Sequence, residues 1–349
     1  MTQQAPTNEE WRKLYDVTAQ VKALAPWEFM EEWQLFGVQN PEDGALGFVS
    51  IMGLLGEHLA VSVYLGAEGL AGFGRLHNPA GRTPFSIVPD ALLEVPQIMA
   101  SFEDRDQLQK ADRDLIKKLG YKFRGSQAWP LFQQYGGGLF PWYIDAYQAR
   151  FLTVALEQVL DVAPRFDEDE NLLLDHPDDH YLVRVLNTDG ETPQWEDRVL
   201  NVPPAPQPEI SVYLEIALLD ELNKLGRVRN PIEIDCFLFP APIQDGRDTR
   251  PYFSYMLLMV EGSSGMILES ELLKPEPDVL TLWGDVPQKV AERLAALGVV
   301  PLEIRAGSER LKTVLQPLAK ELNIKIRPLK ARSMLEDAKA MLMSVGGLM

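Results

Sequence analysis

The chain has 349 residues, 46% of them hydrophobic and 24% charged, with 33 Lys and Arg against 51 Asp and Glu for a net charge of −18. That composition excludes a disordered chain and supports two domains with substantial cores, and the absence of a signal pattern or of an apolar stretch of about 18 residues predicts a cytoplasmic protein with no membrane partner. The acid excess argues against nucleic acid as a partner, because counterion displacement needs Lys and Arg.

The charge is uneven. Residues 1–208 carry 16 basic against 31 acidic side chains, a balance of −15, while residues 209–349 carry 17 against 20, a balance of −3. Cys236 is the one cysteine in the chain and sits in an apolar run, so it forms no internal disulfide and reads as a small buried hydrophobe.

From the N-terminus, Trp11, Leu14, Tyr15, Val17, Val21 and Leu24 recur at helical spacing, and Pro26-Trp27 ends the pattern. Residues 33–38, 46–52 and 58–65 read as strands separated by turn chemistry, which predicts an α+β domain with a small antiparallel sheet. Gly66–Gly74 follows the third strand where a phosphate loop would lie, but its spacing fits neither G-x-G-x-x-G nor a P-loop, so a glycine-punctuated turn into a closely packed helix is expected. Asp104–Leu119 is a charge-mixed helix, read as a solvated face rather than a site.

Gln127–Tyr143 gathers aromatics, prolines and three consecutive glycines into an expected loop. Trp129, Phe132, Tyr135 and Trp142 are its candidate ligand-binding residues, for an apolar or stacking ligand; the bland alternative is an aromatic-pinned loop closing the core. After a helix over 145–160, an acidic run holds His176, Asp178 and His180, residue types that can ligate a divalent ion, although Pro177 opposes the helix that would align the histidines. A hairpin over 181–200 and the Pro-rich linker 201–207 follow. The expected organisation is therefore a domain over 1–165, an acidic hairpin-and-linker segment over 166–208, and a second domain over 209–349.

A helix over 211–225 opens the second domain. Three strands over 232–239, 252–261 and 266–273 come next, then helix from Asp285, strand 299–304, helix from Ser308 bent at Pro317, strand 324–329, and a helix opened by the Ser333-x-x-Glu336 capping box and stopped at Gly346-Gly347. Three strands, helix, strand, helix, strand, helix predicts an α/β domain with a mixed sheet, and the order resembles the ribonuclease-H-like fold. The resemblance implies an acid on the first strand, another at the end of the fourth and a third on the last helix, together holding Mg²⁺. Asp235 fits the first position and Glu336 or Asp337 the third, but the fourth strand runs Glu303-Ile304-Arg305-Ala306 and puts a cation at the second.

Within 305–339 nine basic residues face four acidic ones. If nucleic acid is touched, Arg310, Lys312, Lys325, Arg327, Lys330 and Arg332 touch it; the alternative is a pair of solvated helix faces around a strand.

Trp11-x-x-Leu14-Tyr15, Pro26-Trp27, Phe36-Gly37-Val38, Gly56-Glu57-His58, Tyr64-Leu65-Gly66, Trp129-Pro130-x-Phe132 and Arg250-Pro251-Tyr252 together resemble a two-domain bacterial family of domains of unknown function. That resemblance implies a bacterial intracellular protein and carries over no catalytic residue and no cofactor. The expected function is non-catalytic binding of a macromolecular partner or a small ligand; the enzyme alternative is a metal-dependent phosphodiester hydrolase using Asp235, Glu261 and Asp337.

Overall fold

The computed structural model describes residues 4–77, 89–174, 176–205, 209–246, 249–330 and 332–345. Asp175 of the acidic run, the Gly346-Gly347 stop and residues 206 and 207 of the expected linker lie outside the described residues. The chain divides into one unit of Met1–Gly136 with Pro141–Pro206 and a second of Gly137–Phe140 with Gln207–Met349.

The first unit is organised by two helices on one face of its sheet. In α1 (Asn8–Leu24) the Thr7 hydroxyl and Glu10 carboxylate form a reciprocal capping box, and Leu14, Tyr15, Val17 and Val21 are buried. In α5 (Ala146–Glu168) Asp145 caps the Gln148 N–H at 2.8 Å. Both helices share a core with the sheet through Val49, Ile51, Val61, Val63, Ile98 and Phe102.

The small three-stranded sheet expected here is an eight-stranded mixed sheet, in the order β6-β5-β4-β3-β2-β1-β7-β8. Its members are β1 (Phe36–Gln39), β2 (Leu46–Met52), β3 (Ala60–Leu65), β4 (Gln97–Glu103), β5 (Trp129–Tyr135), β6 (Trp142–Tyr143), β7 (His180–Asn187) and β8 (Gln194–Asn201). All neighbours are antiparallel except β1 and β7, which run parallel. The extra strands have a physical signature that alternation misses. β4 is buried along nearly its whole length, as a central strand covered on both faces is, so its sequence, QIMASFE, lacks the alternation of a half-exposed strand. β5 contains Pro130 and two glutamines, which read as loop. The hairpin of β7 and β8 is part of this sheet, and the buried Arg184 of β7 donates to Gln158 of α5 (3.0 Å) and pairs with Asp161 (3.0 Å) and Asp197 (2.6 Å).

On the opposite face lies α2 (Gly66–His77): the close-packed helix is there, but Gly66–Gly74, expected as the turn leading into it, is itself helical. It comes close because it has no side chain at two contact points: a Cβ on Gly69 would lie 2.7 Å from the Tyr64 carbonyl carbon and 2.8 Å from the Pro96 oxygen, and one on Gly72 would meet Val95 at 2.6 Å. Phe48, Tyr64, Phe73 and Val95 form the small core beneath it. Between the strands also lie the short α3 (Pro89–Glu94) and α4 (Lys110–Leu119).

The second unit opens with α6 (Ile216–Leu222), shorter than expected, and β9 (Gly226–Val228). Its main sheet has five strands, β10 (Ile232–Ile243), β11 (Tyr252–Glu261), β12 (Ile267–Leu273), β14 (Glu303–Ala306) and β15 (Lys325–Pro328), in the order β12-β11-β10-β14-β15. The first three form an antiparallel meander; β14 runs parallel to β10, and β15 parallel to β14. The single strand expected over 299–304 is two, because β13 (Val299–Pro301) pairs with β9 before β14 joins the main sheet. The helix expected from Asp285 begins earlier: Asp278 accepts from the Thr281 N–H at 2.8 Å and opens α7 (Val279–Leu297), with Pro287 inside it. Pro317 breaks rather than bends its helix, giving α8 (Glu309–Val314) and α9 (Gln316–Glu321). The last helix, α10 (Met334–Val345), packs Leu335 and Ala338 onto Met256, Leu258 and Val260 of β11.

Candidate functional site

The four aromatics expected to bind a ligand together are dispersed. Alternation along β5 puts Phe132 and Tyr135 on opposite faces of the sheet. Phe132 packs in the core against Trp11 and Tyr15, with ring centroids 5.9 and 5.0 Å away. Tyr135 lies beside Met99, and burial pushes its phenol up to about 12. Trp142 packs edge-on to Tyr143 at 5.0 Å, and Trp129 meets Phe123 at 5.9 Å. The segment expected to be a loop is a strand and a hairpin, and a strand sends successive side chains apart.

Two concavities flank α4 instead. The first is a hollow lined by Trp11 and Tyr15 of α1, Asp112 and Leu115 of α4, Phe132 of β5 and Tyr143 of β6. Asp112 accepts from the Gln109 N–H at 2.9 Å. Burial raises its carboxyl above the usual range, against the lowering effects of that hydrogen bond and of Arg113. Burial raises the Tyr15 and Tyr143 phenols too, with Asp112 adding to both shifts.

The second is a wider cleft on the other side of α4. Arg105, Arg113, Lys117, Lys122 and Arg124 line it around Tyr121, Phe123 and Trp129. The rings form a connected surface: Tyr121 stacks on Phe123 at 5.9 Å and 12°, Phe123 meets Trp129 edge-on, and the Arg105 guanidinium lies 5.8 Å from the Trp129 ring centroid. Among the described residues none of these cations has a carboxylate within ion-pair distance. The acids close to them are otherwise engaged: Asp114 pairs with Lys110 at 3.3 Å, and Asp104 accepts from the Gln127 N–H at 2.8 Å. Tyr121 is held by Asp16, to which its hydroxyl donates at 2.6 Å. Reading Asp104–Leu119 as a solvated face missed this site. The available signal was the stretch Lys117–Arg124, which carries Lys117, Lys118, Lys122 and Arg124 with no acid, and two aromatics between the cations.

In the second unit the residues of the hydrolase alternative do not converge. Ile232 pairs directly with Glu261 in an unbroken register through Asp235 and Leu258, so Glu261 shares the face of Ile232 while Asp235, three residues on, points to the other. Glu261 closes its own hairpin by accepting from the Ser263 and Ser264 N–H groups at 3.2 and 2.6 Å, and the Ser264 hydroxyl foremost, with these backbone donors after it, holds its pKa low against burial. Asp337 is exposed on α10.

The acids on the Asp235 face are already matched by cations. Asp235, 5% exposed, is in a short ion pair with Lys339 of α10 and accepts from the Cys236 N–H at 2.9 Å. Glu233, 1% exposed, pairs with Arg305 at 3.2 Å and accepts from the Leu335 N–H at 3.1 Å. Arg305 also holds Glu303 at 2.9 Å. Gly307 permits this approach, since a Cβ there would lie 2.2 Å from the Asp235 carboxyl carbon. Burial pulls the Lys339 ammonium down, but Asp235 and Glu336 outweigh burial and leave its pKa raised.

Of the basic tract, Arg310 lies 5.2 Å from the Trp283 ring centroid and Lys312 pairs with Glu309 at 3.0 Å. Lys325 and Arg327 are exposed on β15, which ends the sheet, and Lys330 and Arg332 are exposed beyond it. His180 contacts the Asp178 carbonyl at 2.9 Å, while the buried Nε2 of His176 has no hydrogen-bond partner among the described residues. Among the described residues no group of three or more His, Cys, Asp and Glu is placed to hold a metal ion, and no helix is long and apolar enough to cross a membrane.

Residues 11–184 match the family model described as Domain of unknown function (DUF7309), and residues 218–343 match that of Domain of unknown function (DUF6930). No curated protein and no solved structure matches the chain.

Proposed function

We propose, taking the two matched domains as the working parts, that this is a non-catalytic binding protein whose first domain takes a small phosphorylated ligand with a planar ring, of the nucleotide kind. One observation carries the reading: in a chain of net charge −18, Arg105, Arg113, Lys117, Lys122 and Arg124 stand around connected aromatic faces with no ion-paired carboxylate among the described residues. Unpaired guanidinium and ammonium groups attract phosphate, Arg bidentately, and the ring faces accept a stacked base. A small ligand suits the site better than a long nucleic acid, because a longer strand would bring further phosphates within roughly a Debye length, about 8 Å, of the acidic remainder of the domain, which repels them.

The second domain is read as ribonuclease-H-like in topology, on the strength of a meander followed by two parallel strands in the order β12-β11-β10-β14-β15. The pairing of Asp235 with Lys339 and of Glu233 with Arg305 supports a scaffold role for it over metal-dependent hydrolysis. Thermal unfolding of the full chain with a panel of nucleotides and matched nucleosides tests the reading. Nucleotides should raise Tm at about 50 mM salt and lose most of the effect at about 200 mM, where charges are more strongly screened. Nucleosides should do little. If no nucleotide raises Tm at low salt, or Arg113→Glu with Lys117→Glu leaves the rise intact, the cleft is not the binding site.

A further inference from the structure

The hollow on the other face of α4 has the opposite chemistry from the cleft and stands independently of it. Its walls are ring faces and edges: Trp11, Tyr15 and Phe132 form a corner with centroid separations of 6.3, 5.9 and 5.0 Å, and Tyr143 with Leu115 extend it. Asp112 is the one charged side chain lining it. The Gln109 N–H fixes that carboxylate at the start of α4. Two stretches more than a hundred residues apart in sequence, Trp11 to Tyr15 and Trp129 to Phe132, supply three of the rings.

Each candidate occupant can be judged against that lining. An anion would be repelled by Asp112, with no cation in the lining to offset it. A neutral hydrocarbon would suit the rings but would cover the carboxylate without pairing it, at the cost of desolvating a charge. A bare metal ion needs several oxygen ligands, and the lining offers one carboxylate. A primary ammonium carries three strongly hydrated donors that want acceptors, and one carboxylate among rings, with phenol oxygens as the remaining side-chain acceptors of the lining, replaces its hydration poorly. An alkylated ammonium has no such demand: its charge is spread over an apolar shell, which aromatic faces attract through their quadrupoles while a carboxylate supplies the counter-charge.

We propose that this hollow binds a quaternary or methylated ammonium group, caged by Trp11, Tyr15, Phe132 and Tyr143 with Asp112 as counter-ion. The raised pKa of Asp112 agrees with a carboxyl that has too little positive charge beside it.

The test pairs choline with 3,3-dimethylbutan-1-ol, which has the same shape without the charge, titrated into the full-length protein by calorimetry. Choline should bind, and the neutral isostere should bind at least about tenfold more weakly, as a desolvated cation–π site requires. Asp112→Asn keeps an oxygen for the Gln109 N–H, so it should fold, and it should shrink the preference for the charged member to the part the rings supply. Trp11→Ala should weaken choline by about tenfold. Equal binding of the two compounds to the native protein, an unchanged preference in Asp112→Asn, or no choline binding at millimolar concentration would each overturn the proposal. The comparison of the two compounds on the native chain decides the matter even where Trp11→Ala does not fold.

Discussion

The α4 cleft of the first domain and the acid cluster of the second invert each other. In the cleft, five cations outnumber the one carboxylate that lines it, Asp114, and among the described residues none of the five is in an ion pair; on the β10 face, Glu233 and Asp235 are buried and each is met by a cation and by a backbone N–H. The two domains also differ in net charge, and the difference runs the other way: the strongly acidic half of the chain holds the unpaired cations. Net charge therefore says little about where charge is available. What decides availability is the local partner, since a paired buried charge fixes structure and an unpaired exposed one recruits a ligand.

The largest expected effect breaks the paired side. Lys339→Met leaves the Asp235 carboxylate buried without its cation and removes one of the two charged links from α10 to the sheet. Stranding a buried partner costs about 3–5 kcal/mol, and because the Lys339 side chain is 20% exposed the lower end of that range, about 3 kcal/mol, is expected by denaturant unfolding. Asp235→Asn combined with Lys339→Met should recover most of the loss, since neither charge is then stranded. Full loss in the double variant would mean that Lys339 acts through packing on Phe237, whose ring centroid lies 4.8 Å from its Nζ, and not through the ion pair. The pair has a pH signature as well. Because the folded pKa of Lys339 is raised, its stabilisation is complete below the ordinary lysine value of about 10.4 and is lost as pH climbs through the folded value. Wild type and Lys339→Met should therefore converge in stability only in strong alkali.

The unpaired side predicts a different pattern. Arg113→Glu with Lys117→Glu should leave unfolding within about 1 kcal/mol of wild type, the loss coming from Arg113, whose charge favours the Asp112 carboxylate, while reducing nucleotide affinity by one to two orders of magnitude, about 1.4 kcal/mol per tenfold. Trp129→Ala removes a stacking face and should cost about 1–3 kcal/mol of ligand affinity, with no change in its salt dependence. Arg327→Glu with Arg332→Glu, on the exposed β15 side of the second domain, should change neither. A nucleotide affinity that follows the β15 pair and ignores the α4 pair would move the site to the basic tract.

Much of the second domain was legible because its elements announce themselves locally: the meander's apolar runs, the Ser333 capping box and the Asp235 position all need only neighbouring residues. What was not legible there was partnership. Arg305 read as a cation displacing a carboxylate, but only the register of Glu233 with Arg305 and the placement of Lys339 show that both acids are matched. In the first domain the sheet itself was underestimated. β4 is buried on both faces and so lacks alternation, β5 carries proline and glutamine, and β7 joins by a parallel pairing with β1 across more than a hundred residues. The candidate site suffered from the same limit. Gln127–Tyr143 was singled out for its aromatics, but alternation sends Phe132 into the hollow, while Trp129 lines the cleft and Tyr135 lies on the opposite face from Phe132. Of the cations that give the cleft its character, Arg113 and Lys117 lie in α4, whose mixed charge looks balanced when counted along the chain rather than around it, and Arg105, Lys122 and Arg124 flank that helix.

The smallest effect concerns Asp112, which lies on the boundary between these two regimes: an acid that is partly buried and not matched. Its carboxylate sits in the first turn of α4, where the helix dipole and the Gln109 N–H favour the charged form. Burial among the rings disfavours it, and the raised pKa shows that burial wins. The sign follows from that. An acid whose folded pKa is raised binds its proton more tightly in the folded state, so the native state is favoured while the group is protonated and loses that advantage as pH rises from the unfolded value of about 3.9 through the folded one. At neutral pH the native protein bears the cost of a buried, uncompensated charge. Asp112→Asn removes the charge and keeps an acceptor for Gln109, so it should raise Tm at pH 7 by less than any change described above, and the gain should vanish near pH 3, where the native side chain is itself neutral. Saturating choline should shrink the same gain at pH 7 by stabilising wild type more than the variant. If Asp112→Asn lowers Tm at neutral pH, the helix dipole outweighs burial, and the carboxylate is a capping group rather than a counter-charge awaiting a cation.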